Sequence, residues 1–124
     1  MPKIKSKPKI IGIVGSRRRD SKKDLQTCVD KLKSLYRAGD KLVSGGCPQG
    51  GDKFAEYIAK KLGLTITIHY PDWEAYGKAA GFVRNTFIAE DCNILIALVA
   101  IDRKGGTEDT IKKATKLGKK VYII

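Results

Sequence analysis

Three glycine-bearing segments hold most of the residues in this chain whose types and spacing suit chemistry. The first reads Gly15-Ser16-Arg17-Arg18. A glycine there lets a ligand approach the backbone, and an arginine fork grips phosphate through two parallel hydrogen bonds. The competing reading is a turn with solvated charge. The second segment is Ser44-Gly45-Gly46, followed by Gly50-Gly51-Asp52 at a helix start. Glycines ahead of a helix leave N–H groups free for an anion. Asp52 suits a ribose hydroxyl better than a phosphate, and it equally serves the helix dipole. The third, Gly105-Gly106-Thr107, opens another helix in the same way, with Thr107 as an alternative cap. A fourth group gathers Trp73, Tyr76, Gly81, Arg84 and Asn85. Trp73 can stack on a base or simply pack. Arg84 can meet phosphate and Asn85 a base edge or hydroxyl; both are also ordinary helix-surface residues.

Other chemistries find little support. No GxGxxG follows the first strand, where the chain reads Gly12-Ile-Val-Gly15. The stretch Gly46-Cys-Pro-Gln-Gly-Gly51-Asp52-Lys53 departs from a P-loop, because its lysine sits one place late and no Ser/Thr follows. His69 is the only histidine and has no GxSxG partner motif, which argues against a Ser-His hydrolase. Cys47, near a helix start, is a reactive thiol or a bystander. Asp72, Glu74, Asp102, Glu108 and Asp109 lie on loops or at a helix start, and nothing in their spacing demands a metal. No metal and no resident cofactor is expected.

The elements that must position these residues follow from periodicity. Residues 9–14 are β-rich and end in Gly-Ser. Asp20 or Ser21 can cap a helix, with Asp24 at the box position, and Leu25, Cys28, Val29, Leu32, Leu35 and Tyr36 recur at helical spacing until Gly39. Residues 41–43 are a brief strand, 48–62 an amphipathic helix, 64–70 a β-branched run, 72–81 a loop and 82–91 a third helix. The most apolar strand is 93–100, then a polar loop, a helix over 107–117 and a last strand over 121–124. Apolar strands alternating with helices predict a parallel sheet covered on both faces. Right-handed crossovers then give one doubly wound, Rossmann-like α/β sheet of five strands in the order 3-2-1-4-5. Ligands of such sheets bind beyond the carboxyl ends of the strands, where the order reverses. The glycine-rich segments fall there, after strands one, two and four.

Composition sets the class. The chain has 124 residues, room for one domain over 8–124 behind a basic, flexible arm over 1–7. Apolar content of 42% and charged content of 31% exclude a disordered chain. Three cysteines without a CxxC pair exclude a disulfide framework and a zinc ribbon. The longest apolar run, 94–101, is far short of the ~20 residues of a membrane span. The lysine-rich start has no secretory core behind it, so a cytoplasmic protein without membrane partners is expected. The net charge of +12 is lopsided: residues 1–62 carry 16 basic and 6 acidic groups. Such an excess suits phosphate-bearing partners or a solvated lysine-rich surface.

The series Gly15-Ser16-Arg17, then Ser44-Gly45-Gly46-Cys47-Pro48-Gln49-Gly50-Gly51-Asp52, resembles the SLOG superfamily, which includes DprA/Smf proteins, lonely-guy phosphoribohydrolases and the YspA/YpsA-related proteins. The stretch 71–81, with Arg84-Asn85 and Gly106-Thr107, looks most like the small YspA-related branch. The likeness spans nearly everything from Lys9 onward. It implies a Rossmann-like domain that holds a nucleotide or nucleoside derivative with the loops after strands one, two and four. Lonely-guy enzymes carry PGGxGTxxE; here the chain reads Lys104-Gly105-Gly106-Thr107-Glu108-Asp109, without the proline and with Asp109 nearest the catalytic glutamate. Three functions remain open: a sensor-like binder of a phosphorylated nucleoside or ADP-ribose-type nucleotide, an N-glycosidase with Asp109 or Glu108 as its carboxylate, and a DprA-like binder of single-stranded nucleic acid. A small-molecule nucleotide is the expected partner, weak nucleic-acid binding a secondary one, and a homodimer the expected assembly.

Overall fold

The computed structural model describes residues 7–124; the first six residues of the expected arm lie outside them. The chain runs β1 (Ile10–Gly15), α1 (Lys22–Leu35), β2 (Lys41–Ser44), α2 (Gly51–Leu62), β3 (Ile66–Ile68), α3 (Trp73–Tyr76), a 3-10 turn (Gly77–Ala79), α4 (Ala80–Asp91), β4 (Ile94–Leu98), α5 (Gly106–Lys116) and β5 (Lys120–Ile123). All strand pairs are parallel and the sheet order is β3-β2-β1-β4-β5, as expected.

Strand alternation divides the core in two. Ile11, Ile13, Leu42, Ile96 and Leu98 face α1 and α2, joined by Cys28, Leu32, Phe54 and Ile58. Val14, Val43, Leu95 and Ala97 point the other way, onto Ile88, Ala89, Ile111 and Ala114 of α4 and α5. Successive side chains of a strand point to opposite faces, so an unbroken apolar run feeds both layers. All three cysteines are free thiols. Among the described residues no helix is long and apolar enough to cross a membrane.

Local signals set the helix ends. Ser21 caps α1 in a reciprocal box: its side chain accepts from the Asp24 N–H at 3.0 Å, and Asp24 accepts from the Ser21 N–H at 3.2 Å. Asp20 serves a different helix. Its carboxylate accepts from the Gly50 N–H at 2.9 Å and pairs with Lys53 at 2.6 Å, so the β1–α1 loop caps α2. Helix α2 starts at Gly51, three residues later than 48–62 suggested, and the expected loop over 72–81 holds α3 and the 3-10 turn instead. Asp72 caps that short helix through the Ala75 N–H at 3.0 Å. A single helical turn has no apolar periodicity to read, and none of the α3 residues is buried.

Asp40 fastens the start of the sheet. Its carboxylate accepts from the backbone N–H of Lys9 and of Arg37, each at 2.9 Å, and pairs with the Lys9 ammonium at 2.5 Å. Burial works against the ionised form, but these hydrogen bonds outweigh it and hold the pKa below the usual carboxylate range. A lowered pKa means stability that is present above the unfolded value of about 3.9 and lost as pH falls through the folded one. The stability gap between the native chain and Asp40→Asn, measured by urea unfolding, should be full at pH 6 and shrink below about pH 4. Gly51 gives a sharper steric test: a Cβ there would lie 2.4 Å from the Gly15 nitrogen and 2.4 Å from the Val14 carbonyl carbon. Gly51→Ala should cost about 3 kcal/mol or more in urea unfolding. Gly106→Ala, where an added Cβ meets nothing within 4 Å, should change stability by less than about 0.5 kcal/mol.

Candidate functional site

The strand order reverses between β1 and β4, and the loops that leave their carboxyl ends part there. Ser16 continues the ladder past the strand ends by donating its N–H to the Leu98 carbonyl at 2.9 Å. Beyond it opens a cleft of about 380 Å³ bordered by Gly15, Ser16, Arg17, Arg18, Asp52, Arg84, Asn85 and the Lys104–Thr107 segment, with Cys47 on its edge. A second lobe of about 570 Å³ adjoins it through Arg17, Cys47, Arg84, Asn85 and Gly106. Its remaining border is Gly45, Gly46 and Pro48 on one side and Tyr70, Trp73, Lys78 and Phe82 on the other. Both lobes thus carry cations, and only the second adds aromatic walls; the first is therefore called the cationic lobe and the second the aromatic lobe. Trp73 is 61% exposed, so it is a wall of the second lobe rather than core packing.

The end of α5 that opens into the first lobe has no side-chain cap; Gly105, in the left-handed region at φ +119°, turns the chain into it. The two acidic residues of its first turn are already paired. Glu108 accepts both arms of a fork from Arg103, at 2.9 Å each. Asp109 accepts from Lys113 at 2.8 Å and from the Asn85 amide at 3.1 Å. Neither carboxylate borders the cleft, so as candidates for bond cleavage they stand behind it, and Asp109 acts on the cleft by holding Asn85. The positive end of the helix dipole therefore faces the lobe with local counter-charges spent elsewhere.

Two of the four cations that border the lobe are also engaged. Arg18 forks onto Asp102 at 2.7 and 2.9 Å and reaches the Lys104 carbonyl at 3.2 Å, tying the β1–α1 loop to the β4–α5 loop. Asp102 is held below the usual carboxylate range, first by the Arg18 hydrogen bond. Arg84 donates from Nη1 to the Gly45 carbonyl at 2.5 Å and from Nε to Asn85 at 2.8 Å. Arg17 and the Lys104 ammonium are the exceptions among the described residues. Arg17 is exposed, and among the described residues no hydrogen bond or ion pair engages its guanidinium.

Asp52 forms the floor. It is 6% exposed and accepts the Cys47 N–H at 3.1 Å. Burial pushes its pKa up, against the pull of that N–H and of Arg84. A Cβ at Gly45 would lie 2.7 Å from Asp52 Oδ2 and 2.8 Å from Arg84 Nη1, so only glycine lets both groups approach this loop. At Gly46 the same atom would meet the Tyr70 ring at 2.6 Å, which is how Tyr70 lies against the loop.

The motif residues therefore divide. Gly15, Ser16, Arg17, Asp52, Arg84, Asn85 and Gly105–Thr107 meet at the first lobe, and Gly45, Gly46 and Trp73 at the second. Ser44, Gly50 and Gly51 stand behind the surface. Gly50 gives its N–H to Asp20, and Gly50 and Gly51 let α2 touch the backbone of Val14–Ser16. One of the N–H groups expected to be open ahead of α2, that of Gly50, is thus filled by the chain's own carboxylate. Tyr70 and Phe82 escaped the sequence reading because they flank the 71–81 stretch, while Lys78 and Lys104 stood inside the motif segments without an assigned role. Their only shared signal is a place on the carboxyl side of the sheet. Among the described residues no group of three His, Cys, Asp or Glu is placed to hold a metal ion. Comparison with family models, with curated proteins and with solved structures finds no match for this chain.

Arg84 is the hinge between the lobes, and its hydrogen bonds involve a charged donor, each worth about 1.5–3 kcal/mol. Arg84→Ala should destabilise the protein by about 2 kcal/mol, and Arg84→Lys by more than half as much, because an ammonium cannot reach Gly45 and Asn85 together. Urea unfolding of both variants checks this.

Proposed function

We propose that the protein binds a phosphorylated nucleoside, of the nucleoside monophosphate or ADP-ribose type, across the two lobes at the carboxyl ends of β1 and β4. One observation carries the reading: the uncapped N-terminus of α5 and the unengaged guanidinium of Arg17 border the same cleft. An anion between them gains backbone N–H donors, a helix dipole and a bidentate cation together. Each lobe falls within the range of small-molecule sites. The phosphate goes to the cationic lobe. The planar base goes to the aromatic lobe, where Trp73 and Tyr70 offer π faces, and Arg84 and Asn85 orient the ribose between them. The SLOG-like motifs argue for the same ligand class.

The location at the switch point of a doubly wound sheet fits a binding site on general grounds. Chemistry at the glycosidic bond finds less support, since Glu108 and Asp109 are committed to Arg103, Lys113 and Asn85 away from the cleft. A binding role needs neither of them.

Calorimetric titration with ADP-ribose and with adenosine monophosphate tests the proposal. Saturation at 100 times the dissociation constant should raise stability by about 2.7 kcal/mol, visible as a higher melting temperature. Arg17→Ala should leave the melting temperature of the free protein unchanged and weaken binding about tenfold, or about 1.4 kcal/mol. Absence of both heat and thermal shift at millimolar nucleotide overturns the reading.

A further inference from the structure

The floor of the first lobe contains a hydrogen count that does not close if Asp52 is ionised. Ser44 Oγ lies 2.5 Å from the carbonyl oxygen of Ile13 and 3.2 Å from Asp52 Oδ1, and Ser44 is fully buried. A hydroxyl has one proton and a carbonyl has none. A contact as short as the first needs the Ser44 proton between its two oxygens. The second contact then joins two oxygens with lone pairs only, unless the carboxyl supplies a proton of its own.

We infer that Asp52 is carried as the neutral acid, its Oδ1–H donating to Ser44, and that this neutral floor is what allows the cleft to accept an anion. The second half of the inference rests on the nucleotide reading; the first half does not. A relay forms in which Asp52 donates to Ser44 and Ser44 donates to Ile13, while Oδ2 accepts the Cys47 N–H at 3.1 Å. All of these groups are then satisfied, as buried polar groups must be. An ionised Asp52 would instead place a negative charge on the border of the lobe that is to hold phosphate.

The surrounding charges are few. Helix α4 brings Arg84, which favours ionisation, but no Asp52 oxygen comes within ion-pair distance of it among the described residues. On α2 itself, Glu56 opposes ionisation, and Lys53 is taken by Asp20. Strand β1 has no ionisable residue, and the only one of β2, Lys41, stands at the far end from Ser44. The β2–α2 loop presents the Cys47 N–H, beside its thiol, and the β1–α1 and β4–α5 loops bring Arg17, Arg18 and Lys104 to the border of the cleft. Burial is the largest influence, and it favours the acid.

The test has two parts. In the first, the free protein is labelled with 13C at its aspartate carboxyls and titrated from pH 3 to pH 8 by NMR. The Asp52 resonance is assigned by its loss in Asp52→Asn, or by through-bond correlation should that variant not fold. Asp52 should keep its proton to higher pH than the exposed aspartates, whose pKa lies near 3.9. Ionisation together with the exposed aspartates overturns the inference whatever the ligand proves to be. In the second part, affinity for ADP-ribose is followed over the pH range in which Asp52 titrates. That probe is chosen because both phosphates of its diphosphate are esterified and do not titrate there. Affinity should fall at least tenfold as Asp52 ionises, and the fall should vanish in Asp52→Asn. Affinity that ignores the ionisation of Asp52 overturns the neutral-floor role. No binding at any pH defeats the nucleotide reading and leaves the NMR result to decide the protonation of Asp52.

Discussion

The contact between the end of β1 and the start of α2 is the constraint on which the rest of the site depends. It is a backbone-on-backbone contact. A Cβ at Gly50 would lie 2.3 Å from the Ser16 carbonyl oxygen, and one at Gly51 would overlap Val14 and Gly15. Helix α2 therefore begins directly against the strand tip, which sets Asp52 one residue later at the floor of the cleft. The same approach puts the Gly50 N–H within 2.9 Å of Asp20, so the β1–α1 loop is pinned by the helix it caps. With that loop held, Arg17 and Arg18 have a fixed origin. The cleft is thus a by-product of packing: its walls stand where they do because three glycines let two backbones touch.

The charge of the cleft is settled by pairing rather than by composition. Of the basic groups around it, Arg18 is spent on Asp102 and Arg84 on Gly45 and Asn85. The exposed pairs contribute little to stability, since surface ion pairs are worth about 0–1 kcal/mol. Their effect is to remove candidates. What remains is one exposed guanidinium, one lysine ammonium and one helix terminus, a narrower set of free positive groups than a net charge of +12 suggests. A binder of extended nucleic acid would instead need a track of unpaired cations with stacking aromatics along it.

The fold was legible in the sequence, because alternation of β-branched runs with amphipathic helices leaves few arrangements once crossover handedness is imposed. Both helical layers are legible in β1, where Ile11 and Ile13 face one side of the sheet and Val14 the other. The location of the cleft was legible for the same reason. The roles within it were only partly so. Gly15, Gly50 and Gly51 read as ligand glycines, yet their missing Cβ atoms make room for the protein's own backbone. A glycine signals close approach without saying what approaches. Glu108 and Asp109 sit beside a glycine-rich turn in the sequence, but helix geometry directs them to Arg103 and Lys113. Residue spacing along a chain carries no information on a partner that arrives from a different segment. That is equally why Asp20 as the cap of α2, and Tyr70 and Phe82 as walls of the second lobe, had no precursor in the motif reading.

The asymmetry between the lobes has a consequence for how any ligand must enter. The cationic lobe is built on two loops tied together by Arg18, Asp102 and the Lys104 carbonyl. The aromatic lobe rests partly on α3 and the 3-10 turn, of which no residue is buried. Few buried contacts mean low local stability, and segments of that kind are the first to open in a native protein. The two lobes meet at Arg84, whose hydrogen bonds to Gly45 and Asn85 belong to the firm side. Any occupant of the cleft therefore meets a tied pair of loops on one side and a wall without buried residues on the other, a division that follows from the distribution of buried contacts alone.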